Sequence, residues 1–329
     1  MTLQRREFIT LLGGAAAWPL AARAQQRPVP VVAFVSGRSS NEAARLDAAF
    51  RKGLSETGAI DGQNLLVEYH WLGGQYSQLP SLMADLVRRR VAVIATPGGA
   101  PSTLAAKAAT TTIPIVFGVA EDPVRLGLVA SLARPGGNAT GINYFGAELA
   151  AKQLGLLRAL VPRAVRIAVL INPTNTANTE SVLSDIRETA RAIALQIQVL
   201  NAGTIAEIDA AFASLAANRT DALFVGPDAF FSIRRVQIAI LAARYMIPTF
   251  CPNRDLVEAG GLMSYEADFA DSFRQVGIYV GRIIKGEKPA ELPVQQSTRF
   301  EHVINLSTAR ALGLEIPPTL LAIADAVIE

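Results

Sequence analysis

Cysteine, histidine and net charge are all scarce in this chain of 329 residues. Cys251 is the only cysteine, so no disulfide can form within the chain even in an oxidising compartment. His70 and His302 are isolated from each other, which leaves no histidine–cysteine set for zinc or non-haem iron. The formal charge is +3, of which Arg5, Arg6 and Arg23 against Glu7 supply +2 within the first 24 residues. The remainder, about +1, gives no electrostatic reason to expect nucleic acid or an anionic membrane as a partner. The phosphate-binding patterns GxxxxGK[ST] and GxGxxG are missing, as is the nucleophile elbow GxSxG, and no serine or cysteine has an arguable histidine partner. These absences argue against a cofactor, a bound metal and an enzyme.

What is present begins with an address. Arg5-Arg6 precede a modestly apolar stretch, 8–22, that is broken by Gly13-Gly14 and followed by Ala22-Arg23-Ala24, an A-x-A-like cleavage site. The stretch falls short of the about 20 apolar residues a membrane span needs. Paired arginines followed by Phe8 and Ile9, with Arg23 beside the cleavage point, predict a cleavable twin-arginine signal peptide over 1–24. No cysteine lies near that point, so no lipid anchor or other direct membrane anchor is expected, and the mature protein is read as periplasmic.

Beyond the leader, short Val/Ile-rich runs alternate with helical patterns. Strands are predicted at 29–37, 65–71, 91–99 and 113–120, with helices at 41–58, 76–90 and 100–111 between them. The pattern restarts with a helix at 148–162, a strand at 166–172 and a helix at 179–194, then strands at 197–203, 221–228 and 247–253. A strand at 260–268, a helix at 271–286 and strands at 292–298 and 302–307 follow. Nearly continuous apolar strands separated by helices predict parallel sheets covered on both faces. The fold class is therefore α/β, with two doubly wound Rossmann-like lobes joined by crossover hinge segments. Lobe 1 is placed at 29–142 plus about 264–290, and lobe 2 at 143–263 plus about 291–329.

In open α/β sheets, ligands bind beyond the carboxyl ends of the strands. Those ends carry Ser36-Gly37, Thr96-Pro97-Gly98-Gly99 and Glu121-Asp122-Pro123 in the first unit. In the second they carry Asn172-Pro173-Thr174-Asn175, Gly226-Pro227-Asp228 and Cys251-Pro252-Asn253-Arg254. Proline stiffens most of these turns by fixing φ. TPGG before the helix at 100–111 reads as an anion-attracting helix start or as an ordinary turn. Asp122 before Pro123 reads as the cap of a helix starting there, with one ligand contact at most. Cys251 reads as a small buried filler. Tyr144, Phe145, Phe230, Phe231 and Tyr265 lie near crossovers or strand ends and read individually as packing residues, which leaves few aromatic platforms for a ligand.

The run TTIPIVFGVAEDPVRLGLVASLARPGGNATGI resembles the signature of ABC-transporter substrate-binding proteins related to tryptophan-binding proteins. AVLINPTNTAN, DALFVGPDAFF, IPTFCPNRDLVEAGGLMSYEAD and FRQVGIYVGRIIKGEKPAELPVQ extend the resemblance over the mature chain. It implies the type I periplasmic binding protein fold, with a small molecule clamped between two lobes and an inner-membrane ABC permease as partner. Carried over by motif, the implied contacts are Ser36, Thr96 and Asp122 on one lobe, Asn172, Asp228 and Asn253 on the other, and Tyr265 and Glu266 at a crossover. Pro252-Asn253-Arg254 stands where the pattern allows Ser-Asp, a change of local charge that tells against tryptophan itself. A mixed donor and acceptor lining favours an amino acid or related carboxylate over a sugar. A periplasmic sensor input for a receptor kinase uses the same clamp, and a two-lobed α/β enzyme is the more distant alternative.

Overall fold

The protein is described here by a computed structural model covering residues 29–40, 44–144 and 147–329; the predicted leader and Phe145 lie outside the described residues. Val31–Ser36 (β1) is buried from its second residue onward and is the hub of the first sheet. It pairs in parallel with Leu66–Trp71 (β2) on one side and Val93–Thr96 (β3) on the other. Ile115–Val119 (β4) and Ala139–Asn143 (β5) continue the sheet beyond β3, both parallel. Between these strands run Ala44–Glu56 (α1), Leu79–Arg89 (α2) and Ala100–Ala109 (α3). Both faces are covered, one by a core around Phe34, Phe50 and Phe273, the other by one around Val35, Met83, Ile94 and Phe117. Burial on both faces is why the strands read as unbroken apolar runs.

The second sheet repeats the scheme. Arg166–Ile171 (β6) lies between Gln196–Asn201 (β7) and Ala222–Val225 (β8), and Thr249–Cys251 (β9) and Met263–Ala267 (β10) extend the parallel set. Its helices are Ala147–Leu160 (α4), Thr176–Ala192 (α5), Ile205–Ala217 (α6), Ala229–Ile233 (α7), Arg235–Arg244 (α8) and Arg254–Glu258 (α9). The chain then crosses to the first lobe as Phe269–Ile284 (α10) and adds the edge strand Gln295–Gln296 (β11) beside β5. It returns as Phe300–Asn305 (β12), antiparallel to β10, and ends with Leu306–Ala311 (α11), Pro318–Leu321 (α12) and Ala326–Ile328 (β13). The strand orders are β11-β5-β4-β3-β1-β2 and β13-β12-β10-β9-β8-β6-β7.

Three passages therefore link the sheets, after β5, at Asp268 and between Ser297 and Arg299. The last two are tied together: the Asp268 amide donates to the Arg299 carbonyl at 2.9 Å, and the Ser272 and Ser297 hydroxyls lie 3.0 Å apart. The expected return to lobe 1 at about 264 falls four residues later, because Met263–Ala267 pairs on both sides within the second sheet. Gln295–Gln296 belongs to the first sheet, although the sequence pattern places 291–329 in the second lobe; two exposed glutamines carry no apolar signal. The helix expected at Pro123 is a run of turns over 123–127, ended by Gly127 at φ 69°.

Glycine sets how closely α10 lies on α1. A Cβ placed on Gly277 would sit 2.2 Å from the Phe50 carbonyl oxygen, and one on Gly53 would sit 1.9 Å from the Arg274 carbonyl oxygen. Backbone meets backbone there, and Phe273, Val276 and Val280 enter the first lobe's core beside Phe34 and Phe50. The crossing helix is thus an integral wall of lobe 1.

Candidate functional site

The carboxyl ends of both sheets face one another, and the lobes touch. Arg38 Nη1, just beyond β1, lies 3.4 Å from Asp255 Oδ2 at the start of α9. Gly37 approaches Ala229 so closely that a Cβ on the glycine would lie 3.3 Å from the alanine's. Beneath these contacts lies a chamber lined from both lobes and from the crossing at Ala267 and Phe269. It opens into a vestibule bounded by Arg38, the Pro97–Gly99 turn, Asn175, Asp228 and Asn253. Ala120, Glu121, Tyr144, Asn178, Pro227, Pro252 and Phe269 line both, so chamber and vestibule form one space.

Lobe 1 contributes one cation and one acid. Arg38 is only 8% exposed; its backbone amide donates to Ser36 Oγ at 3.3 Å, and its guanidinium stands 5.5 Å over the Phe269 ring. The Pro97–Gly99 turn packs against β1 because position 98 has no side chain: a Cβ there would meet Ser36 Oγ at 2.9 Å. Gly99, at φ 113°, starts α3, and no side chain among the described residues caps that start. Glu121 follows β4 directly, is 6% exposed, and its Oε2 finds no hydrogen-bond partner among the described residues. Burial first, then the Asp228 charge, pushes its carboxyl above the usual range.

Lobe 2 presents an organised acidic group. Asp228 Oδ1 accepts from Asn172 Nδ2 at 3.0 Å and from the Phe230 amide at 2.9 Å, while Oδ2 accepts from Asn175 Nδ2 at 2.8 Å. Burial raises the Asp228 carboxyl, and these three donors pull it back down. Asn175 Oδ1 is buried without a partner among the described residues. Glu266, on β10, accepts the Arg254 amide on Oε1 at 2.8 Å and keeps Oε2 unpartnered among the described residues. It is 7% exposed, and burial pushes its carboxyl up to about 8. Leu149, Ala150, Val182, Ile186 and Phe224 give the chamber an apolar wall, interrupted by Gln153, Ser181 and Asp185. The space suits a molecule with an apolar body and a charged or hydrogen-bonding head. Among the described residues no three His, Cys, Asp or Glu side chains are grouped to hold a metal.

Of the eight residues expected at the site, Asp228, Asn253 and Glu266 line the cavity. Asn253 is occupied within the lobe: its Nδ2 donates to Ser232 Oγ at 2.7 Å and its Oδ1 caps α9 at Leu256. Asn172 lies behind Asp228 and orients it. Ser36 and Thr96 are fully buried, Thr96 bonding Thr103 at 2.9 Å, so neither lines the cavity. Asp122 is exposed and caps the turn at Val124, while its neighbour Glu121 points inward. Tyr265 turns away from Glu266 by strand alternation and stacks on Phe300, ring centroids 5.8 Å apart. Arg254 does not change the charge of the cavity, because its guanidinium pairs with Glu258 and Glu301 at 2.6 Å each. Aromatic lining is richer than expected, with Tyr144, Phe224, Phe269 and Phe273 on the walls. Phe230 and Phe231 pack on each other instead, as the sequence suggested. Arg38, Asn175 and Phe269 were missed, although Arg38 lies one residue past the first strand-end turn.

Two α/β lobes with three linking passages and a lined cavity between them define a small-molecule binding protein of the type I periplasmic binding fold. Residues 28–328 match the family of ABC transporter substrate binding proteins, and the chain belongs to that family. It is 27% identical over 270 residues to a tyrosine-binding protein of Clostridioides difficile, covering 81% of this chain and 76% of that one. A conserved domain protein of Vibrio cholerae superposes with a TM-score of 0.84 at 26% identity, covering 91% of this chain and 100% of the other. An ABC domain from Streptococcus pneumonia in complex with L-Trp superposes at 0.83 with 24% identity, covering 92% and 100%. The family and the tyrosine-binding relative are binding proteins rather than enzymes. No helix among the described residues is long and apolar enough to cross a membrane.

Proposed function

We propose that this chain is the periplasmic solute-binding component of an ABC importer, exported through its twin-arginine leader, and that it delivers an amino acid or related carboxylate to an inner-membrane permease. The observation that carries this reading is the pairing of opposite polarities in the vestibule. Arg38 and the uncapped start of α3 face a ligand carboxylate from lobe 1. A helix start adds about 0.3–1 kcal/mol for an anion at low salt and an exposed site. Glu121, the unpartnered Asn175 Oδ1 and Asp228 face an ammonium group. The aromatic and aliphatic chamber behind them takes the side chain. The L-Trp complex and the tyrosine-binding relative support an amino acid with a large side chain. A ligand that touches both lobes favours the closed arrangement only by its differential affinity for it.

Native mass spectrometry of the protein purified from its host is expected to show a bound small molecule, followed by calorimetric titration with the twenty amino acids. Protein that carries no ligand and binds none of the twenty would sink the amino-acid reading.

A further inference from the structure

The chamber holds a feature that an apolar side chain would leave unsatisfied. Glu266 lines the chamber and not the vestibule. One of its oxygens is used by the Arg254 amide; the other is buried and unpartnered among the described residues, on a side chain that lines the chamber together with Phe224, Ala267 and Phe269. Gln153, Ser181 and Asp185 add polarity to the same walls. Gln153 is already engaged, donating to the Tyr265 carbonyl at 2.8 Å. A buried acceptor left without a donor costs free energy that a hydrocarbon ligand cannot restore. We infer that the chamber selects ligands whose side chain combines an apolar body with a hydrogen-bond donor, an O–H or N–H group that Glu266 Oε2 receives.

The charges around Glu266 bear on which donor it takes. Arg38 faces it from lobe 1, and Asp255 and Glu301 face it from α9 and β12. Burial holds its carboxyl above the usual range, so a donor placed on Oε2 draws it back towards the ionised form, a cation more strongly than a neutral group. Phenol, indole and ammonium groups share the donor chemistry and differ in charge, so matched ligands separate them.

The inference rests on the amino-acid reading above, and the experiment keeps the two apart. The full chain is titrated with tyrosine against phenylalanine, tryptophan against 3-benzothienylalanine, and lysine against norleucine. In at least one pair the donor-bearing member binds and its donor-free partner is weaker by about 100-fold or more, the asymmetry seen where a site is built around a ligand's O–H or N–H. Glu266→Met collapses that ratio towards one by removing the acceptor. Glu266→Gln keeps its one carbonyl oxygen on the Arg254 amide and puts an NH2 donor in place of Oε2, so it lowers the ratio for neutral and cationic donors alike; it also serves if Glu266→Met fails to fold. A donor-free partner that binds within about threefold of its parent overturns the inference and leaves the amino-acid reading standing. So does a ratio that neither substitution moves. Binding by none of the six overturns the inference, and binding by none of the twenty amino acids overturns the reading beneath it.

Discussion

At the scale of single residues, the cavity concentrates carboxyl groups whose charge the surroundings disfavour. Glu121, Asp228 and Glu266 are all raised, burial being the largest cause in each. For Glu266 the sign is definite. Its carboxyl titrates near 4.5 in the unfolded chain and at about 8 in the folded one, so the folded state binds the proton more tightly. The stability this contributes is complete below 4.5, declines as pH rises, and is gone above about 8. Thermal unfolding of the ligand-free protein between those limits is therefore expected to weaken with rising pH. Glu266→Gln, which has no proton to lose, shallows the decline, while parallel curves for the two proteins would contradict the assignment. Asp228 differs because three donors hold it, and Asn172, which does not itself line the cavity, is one of them.

At the scale of elements, the contact of α1 with α10 depends on the absence of side chains. Gly277→Ala pushes a methyl against the Phe50 carbonyl and is expected to destabilise by about 1–3 kcal/mol, the usual cost of overpacking. Gly155, exposed on α4 with nothing within 4 Å of the position a methyl would take, supplies the contrast. There the same change gains up to about 1 kcal/mol of helix propensity. Urea denaturation of both variants checks the pair, and a neutral Gly277→Ala would mean that the helices can separate. This contact also marks a limit of sequence reasoning. The alternation of apolar strands and helical patterns was legible from Val31 to Asn305, because burial on both sheet faces leaves a strong signal. The strand-end rule led to Asp228 and to the 120–123 turn, yet Asp122 and Glu121 are adjacent and only the backbone geometry decides which turns inward. Ser36 and Thr96 end their strands as expected, but the close approach of Gly98 and the Thr103 hydroxyl seal them off. Arg38 was invisible because its role depends on Asp255 and Phe269, more than two hundred residues away.

At the scale of the whole molecule, the ligand and the lobes share one equilibrium. The Arg38–Asp255 pair spans the cleft and favours closure, as does every contact a ligand makes to both sides. Asp255→Ala is expected to shift the free protein towards open forms, read as a larger radius of gyration in solution scattering. Ligand binding would weaken by about tenfold or less, the range of a partly exposed ion pair. An unchanged radius in the free state would show that the pair does not help to hold the lobes together. The position of α10 has a consequence for the order in which the chain is made. Lobe 1 is built from the first strands, but the helix that closes the core around Phe34 and Phe50 ends at Ile284. During synthesis that apolar face must wait, uncovered, while the whole of β6 to β10 emerges. A ribosome paused before residue 269 would thus present an incomplete first lobe beside a second one that still lacks β12 and β13. The first lobe therefore reaches its native core only late in synthesis.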